Sequence, residues 1–139
     1  WNHDDIMTSG CNANLKTFEI QGPPTSQFGV QVFEQLQELD PKPTAIIAYN
    51  DLLAFGLVSG AGQHGLRPGQ DISIVGFDDV RASTLRNIPL TTISTPPLRI
   101  GQELARLLNT RVEDPNQDAV NIIPPPVLKI RKTSGPASS

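Results

Sequence analysis

Between Pro43 and Asp79 the chain places its apolar residues in two different ways. Residues 45–49 and 72–75 are short runs rich in Ile and Val, the pattern of strands buried on both faces. Between them Leu53, Leu57 and Ala61 recur at four-residue spacing, and Leu52 and Phe55 lie three apart, which is helix period. The stretch therefore predicts a strand–helix–strand unit with parallel strands and a right-handed crossover. Ligands in open sheets of this kind bind outside the carboxyl ends of the strands. Asn50 and Asp51 follow the first strand directly, and Asp78 and Asp79 follow the second after Gly76 and Phe77. Both polar pairs are expected on the same edge of the sheet.

The same reading extends outward. Few apolar residues occur before residue 14, and a weak helix is predicted over 4–11, then a strand over 17–20. Ser26 is the expected N-cap of a helix whose apolar positions Val32, Phe33, Leu36 and Leu39 run at helical spacing to Asp40. The central helix is predicted over 51–64 and ended by Gly65, which takes the left-handed cap conformation without strain. Gly56, Gly60 and Gly62 within it predict close packing, against the sheet or against another chain, because Gly inside a helix otherwise costs ~1 kcal/mol. A short helix is predicted over 82–85 and a strand over 90–94. Ile100, Leu104, Leu107 and Leu108 form an apolar stripe on a helix over 97–110, followed by strands over 120–123 and 127–130. The tail 133–139, rich in Ser, Gly, Pro and Ala, is expected to be disordered. The sum is an α/β fold: an open, mostly parallel sheet with helices on both faces.

Composition narrows the function classes. At 139 residues the chain is one domain's worth, with 37% hydrophobic residues and 13 prolines, so a real core with long irregular connections is expected. The net charge of −3 argues against a nucleic-acid surface in this chain. The lone Cys11 cannot pair internally, which fits a reducing, cytoplasmic setting. No run is long enough to span a membrane. The start at Trp1, inside a polar segment, reads like that of a trimmed or processed chain.

The candidate chemistry is sparse. Adjacent carboxylates at Asp78 and Asp79 can hold a metal, share a proton or accept ligand hydroxyls, or one can cap a turn while the other is solvated. Asp51 reads as a helix cap; Asn50 in front of it is less easily explained that way. His3 and His64 have no further ligands at metal spacing, and no metal or cofactor is expected. Ser59, Ser73 and Ser83 lack the glycine-flanked elbow of a hydrolase. The run Gly60–Gly65 has dinucleotide-loop spacing but ends a helix instead of opening one. From the residues alone the cap-and-solvated reading of the pair stands slightly ahead. A small α/β enzyme using Asp78 and Asp79 as an acid pair or Mg²⁺ site ranks lower than a ligand sensor without chemistry, because no nucleophile or phosphate loop accompanies the pair.

The runs PTAIIAYNDLLAFG, GLRPGQDISIVGFDD, PLTTISTP, IGQELARLL and KIRKTS, in this order, resemble the C-terminal half of the LacI/GalR family of bacterial transcription regulators. The resemblance implies one lobe of a two-lobed, periplasmic-binding-protein-like (type I) fold. Residues 1–95 would be the C-terminal lobe and 96–132 a crossover segment belonging to both lobes. It implies a homodimer that binds a small effector between the lobes, and contact with DNA only through a helix-turn-helix domain that this chain does not contain. Asn50 and Asp78 match the family's effector-contacting positions, while Asp51 and Asp79 match neighbouring, more structural ones. Phe55 and Leu85 match positions that pack across the dimer. The family's effector-binding Arg would fall before Trp1, and the stacking aromatic would fall near Pro24, where there is none. A sugar-like effector is therefore expected over an aromatic-stacked purine. Without the first lobe, the stripe on helix 97–110 would face water, and packing between chains is the expected remedy.

Overall fold

A computed structural model describes residues 19–85 and 87–136. Helix α1 (Ser26–Gln37) opens on Thr25, whose hydroxyl accepts the Phe28 N–H at 3.2 Å. The cap is thus one residue before the expected Ser26. Strand β1 (Ala45–Ile47) leads into helix α2 (Asp51–Gln63), then β2 (Ser73–Phe77), the short α3 (Ala82–Leu85), β3 (Thr91–Ser94), the long α4 (Pro97–Glu113) and β4 (Val127–Lys129). The predicted helix over 4–11 lies outside the described residues, as does the first half of the strand over 17–20; Glu19 and Ile20 are not in a strand. The predicted strand over 120–123 does not form: its residues are exposed and pair with no strand among the described residues.

The four strands make one sheet in the order β1-β2-β3-β4, the first three parallel and β4 antiparallel to β3. Ile46 stands beside Ile74, and Ile47 beside Val75. Alternation therefore turns Ile46, Ile74 and Gly76 towards α2 and Ile47, Val75 and Phe77 the other way. The core lies on the α2 side, where Phe33, Ala54, Leu57, Ala61 and Ile74 are fully or almost fully buried. On the other side Ile47 is 80% exposed.

The glycines explain how α1 reaches α2. A Cβ on Gly29 would fall on the Leu53 carbonyl oxygen, and one on Gly56 would fall on the Ser26 carbonyl oxygen. A Cβ on Gly60 would meet the Phe33 side chain. The close packing expected of the α2 glycines is therefore helix on helix within one chain; Gly62 has open space around it. Gly65, at φ 72, ends α2, and the Leu66 N–H returns to the Ala61 carbonyl at 2.9 Å.

Two expectations about surfaces change. Phe55 is 3% exposed and belongs to the core, so it is not the exposed interface residue expected of it. The segment from Thr133 is not a loose tail over its described part. Thr133 is fully buried, its hydroxyl donates to the Ile74 carbonyl at 2.7 Å, and it accepts the Thr91 N–H at 2.9 Å. Ser and Thr side chains supply such bonds in place of a strand partner, which composition alone does not show. Helix α4 buries none of its residues: Leu104 and Leu108 are 61% and 64% exposed. Among the described residues no helix is long and apolar enough to cross a membrane.

Candidate functional site

Both polar pairs lie at the carboxyl ends of parallel strands, β1 and β2, as the strand–helix–strand reading requires. An open cleft of about 940 Å³ runs along this edge. Its walls include Tyr49 and Phe77 from the strand ends, Phe28 from α1, Gly22 and Pro24 from the preceding loop, and Asp78. Asp78 is the exposed member of its pair.

The other three polar residues have structural partners. Asn50, not Asp51, is the N-cap of α2: its side-chain oxygen accepts the Leu53 N–H at 2.9 Å. Its amide nitrogen reaches the Pro24 carbonyl at 3.4 Å, tying the cleft loop to the start of α2. Asp51 lies one position further and turns inward, with no exposed surface. Its carboxylate accepts the Thr92 hydroxyl at 2.5 Å and the Val80 N–H at 2.9 Å. Gly76 makes room for it, since a Cβ there would collide with Asp51 Oδ1. Burial pushes the Asp51 carboxyl above its ordinary value; the bonds from Thr92 and Val80 oppose this, and the nearby charges of Asp78 and Asp79 add to it.

Asp79 turns away from the cleft and pairs with Arg131, Nη2 to Oδ1 at 2.5 Å. Desolvation raises its carboxyl, but the Arg131 guanidinium, helped by the hydroxyls of Ser83 and Ser94, outweighs that and holds it below the ordinary value. With Asp79 committed to Arg131, the two adjacent carboxylates do not form an acid pair. Among the described residues no three His, Cys, Asp or Glu side chains gather as a metal site.

Sequence reasoning missed the aromatic walls. No aromatic occurs at Pro24, yet Tyr49, Phe77 and Phe28 supply three aromatic surfaces from other positions. The signal was present for two of them: Tyr49 and Phe77 each immediately precede a polar pair at a strand end. Phe28 needed the fold, because it reaches the cleft by lying over Gly22, where a Cβ would strike its ring.

The sequence profile of the periplasmic binding protein-like domain family matches residues 7–134. The HTH-type transcriptional repressor PurR of Pasteurella multocida is 36% identical over 105 residues, which are 76% of this chain and 31% of that protein. A LacI family transcriptional regulator from Enterococcus faecalis V583, solved with bound ribose, is 32% identical with a TM-score of 0.77, over 86% of this chain and 44% of that one. The lac repressor dimer, solved with operator and an anti-inducer, is 33% identical with a TM-score of 0.70, over 81% and 39%. The chain thus spans about a third of the length of the curated relatives it matches. These relatives are transcriptional regulators rather than enzymes. With a match from end to end of the described fold, the chain belongs to the periplasmic binding protein-like domain family, as part of a LacI/GalR-type effector-binding domain.

Proposed function

We propose that the chain is the ligand-sensing part of a bacterial DNA-binding transcriptional regulator, which binds a small sugar-like effector in an interlobe cleft and does no chemistry on it. The observation that carries this reading is the position of Asp78. Asp78, exposed at the end of β2, lines an open cleft whose walls include Tyr49, Phe77 and Phe28. A carboxylate that accepts hydroxyl hydrogens beside flat apolar surfaces suits a polyol ring, which has polar edges and apolar faces. Asn50 serves the same site from behind by holding the loop at Pro24 against α2. The ribose held by the Enterococcus faecalis relative supports the ligand class.

Among the described residues the cleft is lined from one lobe, so the first lobe is assigned to the remainder of the regulator, together with the helix-turn-helix that contacts DNA. A thermal-shift and calorimetric screen of pentoses, hexoses and disaccharides against the full-length regulator tests the reading. Saturable binding without turnover is expected. Turnover of a phosphorylated compound, or no binding across the panel, would overturn it.

Dimerisation belongs to the same proposal. With Phe55 in the core, Leu85, 70% exposed on α3, is the interface residue that remains. Leu85→Glu should shift the protein to monomer in sedimentation; a persistent dimer would place the interface elsewhere.

A further inference from the structure

The chain leaves the sheet at Ser94, the end of β3, and returns at β4. Both roots of this excursion meet the Asp79 carboxylate. Arg131, two residues past β4, places Nη2 at 2.5 Å from Asp79 Oδ1, while its Nη1 donates to Ser83 Oγ at 2.9 Å and to the Leu90 carbonyl at 2.8 Å. The Ser83 hydroxyl donates to the same Asp79 oxygen at 3.2 Å, and the Ser94 hydroxyl also serves this carboxyl. The Arg131 and Asp79 side chains are 17% and 19% exposed, so solvent and salt screen the pair much less than a surface one. The Arg131 backbone is held as well: its N–H donates to Thr91 Oγ1 at 2.8 Å.

The residue beside Asp79 is the one that faces the cleft. Asp78 and Asp79 both have positive φ, 104° and 54°, a region that L residues rarely adopt. Conformations of this kind are strained and persist only where the surroundings over-determine them. Beside the Ser83 and Ser94 hydroxyls on Asp79, three restraints hold the turn. The Asp78 N–H donates to the Ile93 carbonyl at 2.9 Å, the Val80 N–H donates to Asp51 at 2.9 Å, and the Asp79 carboxylate is gripped by Arg131. The first two act on the backbone on either side. The third holds the turn through a side chain, and its partner lies 52 residues away.

We propose that Arg131 is a positioning residue for the cleft: by clamping Asp79 it keeps the strained turn that presents Asp78 to the ligand, and it anchors that turn to the root of the returning segment. The inference deepens the effector-site reading and rests on it for the role of Asp78.

Amide hydrogen exchange of the intact protein, with Arg131→Met and Arg131→Lys, tests the clamp. In Arg131→Met the Asp78 and Val80 amides should lose about tenfold or more of their protection, the measure of a lost charge-assisted contact, while Phe33 and Leu57 in the core change by less than about threefold. Arg131→Lys keeps the charge but not the planar fork, so its loss should be intermediate and confined to the same amides. An equal loss in turn and core would make Arg131 a general stabiliser and overturn the proposal, as would no loss at the turn. Should Arg131→Met fail to fold, the Arg131→Lys comparison decides alone. No ligand enters this experiment, so the two readings fail separately. Selective loosening in a protein that binds no sugar would keep the clamp and remove the effector. Sugar binding with an unchanged turn would do the reverse.

Discussion

Removing the Asp51 carboxylate should destabilise the fold more than neutralising it. Asp51→Ala strands two donors, the Thr92 hydroxyl at 2.5 Å and the Val80 N–H at 2.9 Å, around a side chain with no exposed surface. Each unsatisfied buried group costs ~1–3 kcal/mol. Against this stands the relief of a carboxylate that burial and two neighbouring aspartates already disfavour. The net expectation is a loss of about 2–4 kcal/mol for Asp51→Ala. Asp51→Asn keeps the shape and one acceptor and removes the buried charge, so its loss should be about 1 kcal/mol or less. The pH dependence separates the causes. The folded-state value lies above the ordinary 3.8, so the folded protein holds the Asp51 proton more tightly than the unfolded chain does. Stability from this group is fully present below the unfolded value and falls as pH rises through the folded one. Asp51→Asn should remove that slope. Urea denaturation of the three proteins across pH 3–7 reads both quantities. An Ala variant within about 0.5 kcal/mol of wild type, or an Asn variant less stable than the Ala variant, would refute the reasoning.

Asp78→Ala should weaken effector binding roughly ten- to a hundredfold in calorimetry, the loss of a charge-assisted bond, and unchanged affinity would sink its assignment to the cleft. Gly56→Ala should cost about 1–3 kcal/mol in thermal or chemical unfolding, because the added methyl meets the Ser26 carbonyl oxygen on the opposing helix; Gly62→Ala, in open space, should be neutral or stabilising. Asp79 behaves oppositely to Asp51 in acid: its folded value is depressed below 3.8, so its contribution is present above 3.8 and is lost as pH falls through the folded value. Arg131→Met should flatten that acid limb, and an unaltered limb would show that the pair does not hold the carboxylate ionised.

Periodicity alone determined the strand–helix–strand unit. The Ile and Val runs and the spacing of Leu53, Leu57 and Ala61 carry their own secondary structure, because branched apolar runs favour strands and one-sided burial of a helix leaves a repeating trace. Burial of both strand faces, which the runs also suggest, is not met in β1, where Ile47 is 80% exposed. The strand-end rule places Asn50, Asp51, Asp78 and Asp79 on one edge. What each of the four does was decided by tertiary structure. Asp51 stands where a cap would stand, yet it is buried under β3 because Thr92, 41 residues away, offers a hydroxyl. Asp79 is withdrawn from Asp78 by Arg131, 52 residues away. No local pattern encodes partners at such separations. The same holds for two misread segments. Val120, Ile122 and Ile123 have strand-like side chains but no neighbouring strand among the described residues, and strand propensity is realised only against one. Thr133 looks like the start of a polar tail, but its hydroxyl and carbonyl replace a missing ladder partner for β2 and β3. Local sequence chose the elements; hydrogen-bond partners brought together from distant parts of the chain chose which carboxylate faces the cleft.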